Sequence, residues 1–116
     1  MTDKLLKQSI QRLEIALKIK EVDDLHFDAI CKRFEVCFEY TWKYLKRQAS
    51  DAGQEVYSPK DAIKEGVKLK IIDNLDLWLD CLQERNLSVH NYYSSDPQET
   101  LKKIKQFLKE VKKIKI

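Results

Sequence analysis

The scarcity of turn-forming residues is the strongest constraint on this sequence. Only two glycines and two prolines occur in 116 residues, which leaves too few tight turns for a many-stranded sandwich or barrel. Lysine, glutamate and leucine are common instead, and these residues favour long helices. A chain of this length supports one modest hydrophobic core. We therefore expect an all-α protein in which residues 1–116 form a single helical domain.

The spacing of apolar residues predicts five helices, arranged as an antiparallel up-and-down bundle of four to five helices. The longest is predicted from about Leu25 to Ala49, and the others include one over about Asp3–Lys20 and one over about Leu75–His90. Two further helices begin at Ser58-Pro59 and Asp96-Pro97, where a capping side chain precedes proline at the first helical position. These signals place most of the chain in helices joined by short connections.

Several classes of function are disfavoured by composition. Apolar runs are far shorter than a membrane-spanning helix and no signal-peptide pattern opens the chain, so a cytoplasmic protein without a membrane partner is expected. Three cysteines, Cys31, Cys37 and Cys81, and two histidines lack the spacing of a metal site. We predict no metal, no disulfide and no cofactor, with the cysteines as small buried hydrophobes. Residues 101–116 hold seven lysines and one glutamate, a solvated face rather than a strip for RNA.

The helical pattern breaks in the fourth predicted helix. Its apolar stripe runs through Leu75, Trp78, Leu79 and Leu82, and the next positions of that stripe are Arg85 and Asn86. A guanidinium that faces a core is costly unless it is paired or meets solvent or a ligand. Asn86 can share a face with His90, but Arg85 and His90 are five residues apart, about 140° around an ideal helix. Either the helix distorts near His90, or two copies of the chain each contribute part of a site.

Arg85, Asn86, His90 and Tyr92 together offer an anion clamp, an amide, a group that titrates near neutrality and a phenol. This set suits phosphodiester chemistry without a metal, because histidine can move a proton at a ribose hydroxyl while arginine holds the phosphate. The structural alternative is a capping histidine and an arginine paired with a carboxylate close in sequence, at Asp76, Asp80 or Glu84. Spacing alone leaves both interpretations open.

The segment Arg85-Asn86-Leu87-Ser88-Val89-His90-Asn91-Tyr92 resembles the Arg-x4-His-x-Tyr motif of HEPN domains. More narrowly, the chain resembles the small nucleotidyltransferase substrate-binding proteins that are encoded beside a minimal nucleotidyltransferase. The segment Arg33–Lys43, with its Arg-Phe-Glu, Phe-Glu and Trp-Lys elements, supports this resemblance. So do Ser58–Asp61 and the position of Trp78 ahead of Arg85-Asn86. The resemblance spans about residues 5–112.

This resemblance implies a bundle that forms a homodimer and brings two Arg-x4-His segments to one cleft. It also implies a minimal nucleotidyltransferase as partner and, for many relatives, metal-independent endoribonuclease activity as the toxin of a toxin–antitoxin pair. On the matching positions, Arg85 and His90 would be the catalytic pair and Asn86 a substrate contact. Tyr92 would contact RNA and accept AMP from the antitoxin. The alternative is a non-catalytic substrate-binding subunit.

Two further expectations concern the neighbours of this motif. Glu39 either points its carboxylate at the same cleft or pairs with Lys43 on its own helix. The Gly-Ser loop and paired aspartates of a nucleotidyltransferase have no counterpart in the sequence, so intrinsic nucleotidyl transfer is not expected.

Overall fold

The computed structural model describes the backbone of residues 2–91 and 96–116, and the side chains of residues 3–87 and 96–116. These parts of the chain contain five helices and no strand. The helices are α1 (Thr2–Leu17), α2 (Asp24–Asp51), α3 (Pro59–Lys68), α4 (Leu75–Asn91) and α5 (Pro97–Val111). The predicted all-α class is confirmed. None of the described helices is long and apolar enough to cross a membrane.

The helices begin where the sequence provides capping side chains. The Ser58 side chain accepts a hydrogen bond from the Asp61 N–H, and Asp96 accepts one from the Gln98 N–H. Proline follows each of these caps, where its missing N–H costs nothing. The capping predictions at both positions are confirmed, and they fix where α3 and α5 start.

Contacts between helices show that neighbours run antiparallel. The start of α1 meets the end of α2 through an ion pair between Asp3 and Arg47, whereas the Arg12 carbonyl accepts a hydrogen bond from Arg33 near the beginning of α2. In the same way, Trp78 early in α4 packs on Phe107 late in α5. The four long helices form a ring in the order α1, α2, α4, α5, and α3 packs on α2 and α4.

An aromatic cluster occupies the centre of this ring. Phe34 and Phe38 of α2 have ring centroids 5.1 and 5.6 Å from that of Phe107 on α5, and Trp78 of α4 lies 5.6 Å from the same ring. All four side chains are almost completely buried, so each stabilises the fold through a large apolar area removed from water. The cluster holds α2, α4 and α5 in a fixed rotation relative to one another.

The three cysteines lie in the core, as predicted. Cys31, Cys37 and Cys81 are buried and free, and burial raises the pKa of the Cys81 thiol from 9.0 to about 12. Because the thiolate is the reactive form, these side chains act as small apolar groups.

Candidate functional site

The buried side of α4 differs from the predicted stripe. Trp78, Cys81 and Glu84 are the residues that face the core, at three-residue spacing. Arg85 lies at the edge of this face and Asn86 is exposed. The expectation that Arg85 and Asn86 continue the core-facing stripe is therefore wrong. The physical reason is that Glu84 occupies the core-facing position instead, because side chains of α5 bind its carboxylate there.

Arg85 lies against the adjoining helix α2, where it meets Glu39. The Arg85 Nη2 atom donates to Glu39 Oε2 over 2.9 Å, and Arg85 Nη1 donates to the side-chain oxygen of Asn86 over 3.2 Å. The Arg85 and Glu39 side chains are 29% and 34% exposed. This exposure leaves the pair partly open to solvent.

Two more side chains of α2 complete the surroundings of Glu39. The Trp42 indole N–H donates to Glu39 Oε2 over 3.1 Å, and Lys43 Nζ lies 3.6 Å from Glu39 Oε1. The predicted pair with Lys43 is present, and the same carboxylate also contacts Arg85. Two cations against one carboxylate give this cluster a net positive charge, which favours an incoming phosphate.

Sequence reasoning missed the structural partner of Arg85. A carboxylate close in sequence was one expectation, but the carboxylate that Arg85 contacts, Glu39, is 46 residues away on another helix. Glu84 instead accepts a hydrogen bond from the Thr100 hydroxyl over 2.8 Å and lies 3.5 Å from Lys103 Nζ. The hydrogen bond from Trp42 to Glu39 was also missed, although their three-residue spacing on one helix is a detectable signal.

The other members of the predicted site are His90 and Tyr92. The His90 side chain and the whole of Tyr92 lie outside the described residues. The backbone of α4 continues as an α-helix to Asn91, so positions 85 and 90 lie about 140° apart around its axis. Among the described side chains, no cluster of three or more histidine, cysteine, aspartate or glutamate residues could hold a metal ion.

The protein is thus a small all-α bundle, and a partly exposed arginine at the contact between two of its helices forms a candidate anion site. A family model described as "Nucleotidyltransferase substrate binding protein like" matches residues 4–116. The chain belongs to this family, which confirms the resemblance found in the sequence. Among curated proteins, none matches the sequence closely enough to count as a relative.

Two solved structures share the fold. A protein of Thermus thermophilus is 22% identical, with a TM-score of 0.84 and coverage of 93% of both chains. A tri-AMPylated HEPN toxin of Shewanella oneidensis, solved in complex with MNT antitoxin, is 17% identical, with a TM-score of 0.68. That match covers 96% of this chain and 93% of the toxin. At these identities the likeness establishes the fold.

Proposed function

We propose that this chain is the HEPN subunit of a HEPN/minimal-nucleotidyltransferase toxin–antitoxin pair and acts as a metal-independent endoribonuclease. One observation carries the proposal. This chain belongs to the family, and Arg85 of its own Arg-x4-His-x-Tyr segment is partly exposed where α4 meets α2. There its guanidinium can bind a phosphate. The domain assignment, one HEPN-like domain over residues 1–116, is part of the same proposal.

The active unit we propose is a homodimer. Positions 85 and 90 lie about 140° apart on one regular helix, so a single copy does not easily bring both side chains to one phosphorus atom. Two copies related by a twofold axis can place Arg85 of one beside His90 of the other. RNA would then bind in a cleft between the copies, where Asn86 and Tyr92 contact the strand.

The proposed chemistry transfers the phosphodiester within RNA. His90 accepts the proton of a ribose 2′-hydroxyl, and the 2′-oxygen attacks the adjacent phosphorus atom as the bond to the 5′-oxygen breaks. The 5′-oxygen takes up a proton, from water or from the second imidazolium, and leaves a 2′,3′-cyclic phosphate behind. Arg85 stabilises the additional negative charge on the phosphoryl oxygens. Glu39 orients Arg85 through the 2.9 Å contact.

The proposed partner is the minimal nucleotidyltransferase, and the proposed point of control is Tyr92. Transfer of AMP from ATP to the phenol oxygen, with release of pyrophosphate and the phenol proton, would add phosphate charge and bulk to the proposed RNA cleft. The added charge would repel RNA and the added volume would block the cleft. Modification at this position would therefore switch the ribonuclease off.

The decisive experiment incubates the purified, unmodified chain with mixed RNA in EDTA. We expect cleavage with 2′,3′-cyclic phosphate ends, and at least a 100-fold loss of rate in His90→Ala and in Arg85→Gln. His26→Ala and Arg47→Gln are matched controls, because they change the other histidine and another arginine that pairs with a carboxylate. Wild type and His90→Ala that are equally inert on all RNAs would overturn the ribonuclease assignment.

A second candidate is a non-catalytic subunit that presents a substrate, or itself, to the nucleotidyltransferase. The contact of Arg85 with Glu39 favours it, since this ion pair can also serve structure alone. It predicts partner binding and AMP transfer without RNA cleavage. Intact mass after co-expression with the nucleotidyltransferase tests the partnership: we expect increments of one AMP that disappear in Tyr92→Phe and persist in Tyr93→Phe.

A further inference from the structure

A concave surface lies between α1 and α2, apart from the surroundings of Arg85. It is a groove of about 390 Å³, lined by Leu5, Arg12, Lys32, Arg33, Val36 and Tyr40 among others. On α2, Glu39 points to α4 and the next residue, Tyr40, lines the groove on the α1 side. The groove is therefore separate from the surroundings of Arg85, and nothing in the proposed ribonuclease mechanism uses it.

The charged side chains that line this groove are all positive. Arg12, Lys32 and Arg33 line it, and none of the described carboxylates does. Arg33 Nη1 donates to the Arg12 carbonyl over 2.7 Å, which holds its guanidinium in place at the groove. Arg12 and Lys32 are exposed and form no ion pair with any carboxylate that the structure describes. Three cations with so little local compensation attract a negatively charged partner.

The same surface exposes large aliphatic side chains. Leu5 is 45% exposed, Val36 38% and Ile15 of α1 61%. Leu5, Arg12 and Ile15 follow helical spacing on one side of α1, so Ile15 is a further exposed aliphatic side chain on that side, beyond the groove. Exposed aliphatic side chains beside arginine and lysine are typical of a protein–protein interface.

We propose that the α1/α2 groove is the docking surface for the nucleotidyltransferase partner, which contacts it through an amphipathic segment that carries carboxylates beside apolar side chains. The identity of the partner rests on the function proposed above; the position and chemistry of the surface rest on the groove. A second copy fits poorly, because twofold symmetry would bring Arg12, Lys32 and Arg33 against the same cations. A nucleic acid strand would leave the aliphatic side chains without apolar contacts.

The test measures the affinity of the full-length chain for its nucleotidyltransferase by calorimetry. We expect Val36→Asp to weaken binding at least 30-fold, and the double variant Arg12→Gln/Lys32→Gln to weaken it about 10-fold with a smaller dependence on salt. Leu25→Asp and Lys46→Gln are matched controls, because both residues are exposed on α2 and outside the groove. Circular dichroism verifies that each variant retains its helices.

Four other outcomes would contradict the proposed docking surface. Equal affinity of wild type and Val36→Asp places the partner elsewhere while the proposed partnership stands. Failure of the wild-type chain to bind contradicts the partnership and the docking surface together. A dimer that dissociates in Val36→Asp identifies a second copy as the occupant. Loss of binding to a 20-nucleotide RNA in Arg12→Gln/Lys32→Gln, with unchanged nucleotidyltransferase binding, identifies a nucleic acid surface instead.

Discussion

Glu84 and Arg85 are consecutive charged residues of α4 in two different environments. Glu84 is buried and its carboxylate is bound by Thr100 and Lys103 of α5. Arg85, one residue further around the helix, meets Glu39 of α2 at a half-exposed position. The difference shows how a helix that packs on two neighbours can bury one charged group and leave the next partly open to solvent. A rotation of about 100° separates the two environments.

Removing the buried carboxylate is expected to have the largest effect on stability. Glu84→Ala should lower the free energy of unfolding by about 2 kcal/mol, because the buried Thr100 hydroxyl loses its acceptor and the partly exposed Lys103 loses its ion pair. Urea unfolding measures this loss. Glu14→Ala is the control: Glu14 pairs with Lys112 at the surface, and its loss should cost much less than the loss of Glu84. Equal costs for the two variants would remove the distinction between a structural and a surface carboxylate.

The second prediction concerns the hydroxyl that binds Glu84. Thr100→Val keeps the shape of the side chain and removes the donor, so the free energy of unfolding should fall by about 1.5 kcal/mol. Thr41→Val is the comparison, since the buried Thr41 hydroxyl donates only to the Cys37 carbonyl one turn earlier. A smaller effect is expected there. A neutral Thr100→Val would mean that the hydroxyl contributes little to holding the carboxylate.

The third prediction uses pH to probe the buried side of α4 at Cys81. Burial raises the pKa of this thiol from 9.0 to about 12, so above pH 9 the unfolded chain loses the proton while the native protein keeps it. The free energy of unfolding that depends on this protonated thiol is therefore fully retained below pH 9 and decreases as the pH rises to about 12. We expect this thiol to lower stability by about 1 kcal/mol at pH 10. In Cys81→Ala the decrease between pH 8 and 10, measured by urea unfolding, should be smaller by that amount.

The smallest effect on stability is expected at Arg85 itself. Arg85→Gln should change the free energy of unfolding by less than about 1 kcal/mol, because the pair is partly open to solvent and Glu39 keeps its contacts with Trp42 and Lys43. The same protein can then be used in the RNA cleavage assay as a folded variant. If Arg85→Gln instead unfolds the chain as strongly as Glu84→Ala, Arg85 belongs to the structural scaffold and the contrast within α4 disappears.

Local signals in the sequence account for most of the fold. The caps at Ser58 and Asp96 and the regular apolar spacing in α2 depend only on residues within a few positions of one another. The polar partners of α4 depend on the rotation of one helix against another, which no local pattern contains. Glu39 and Arg85 are 46 residues apart, and Glu84 is tolerated inside only because Thr100 and Lys103 face it.

The surroundings of Arg85 follow from the sequence only in part, for the same reason. The break in the apolar pattern singles out Arg85, yet it places Arg85 in the core because it continues the inward stripe through Leu82. In the structure Leu82 is only partly buried, whereas Cys81 and Glu84 are buried. A small thiol and a charged residue carry little weight in a search for apolar periodicity. The roles assigned to His90 and Tyr92 remain predictions.

The two tryptophans give the chain an internal optical probe of its own site. The indole N–H of Trp42 donates a hydrogen bond to the carboxylate that contacts Arg85, whereas Trp78 is buried among the core aromatic side chains. A ligand that draws Arg85 away from Glu39 changes the electric field at the Trp42 ring and leaves Trp78 untouched. The emission of Trp42 can thus report occupancy while that of Trp78 serves as a constant reference, without any added dye.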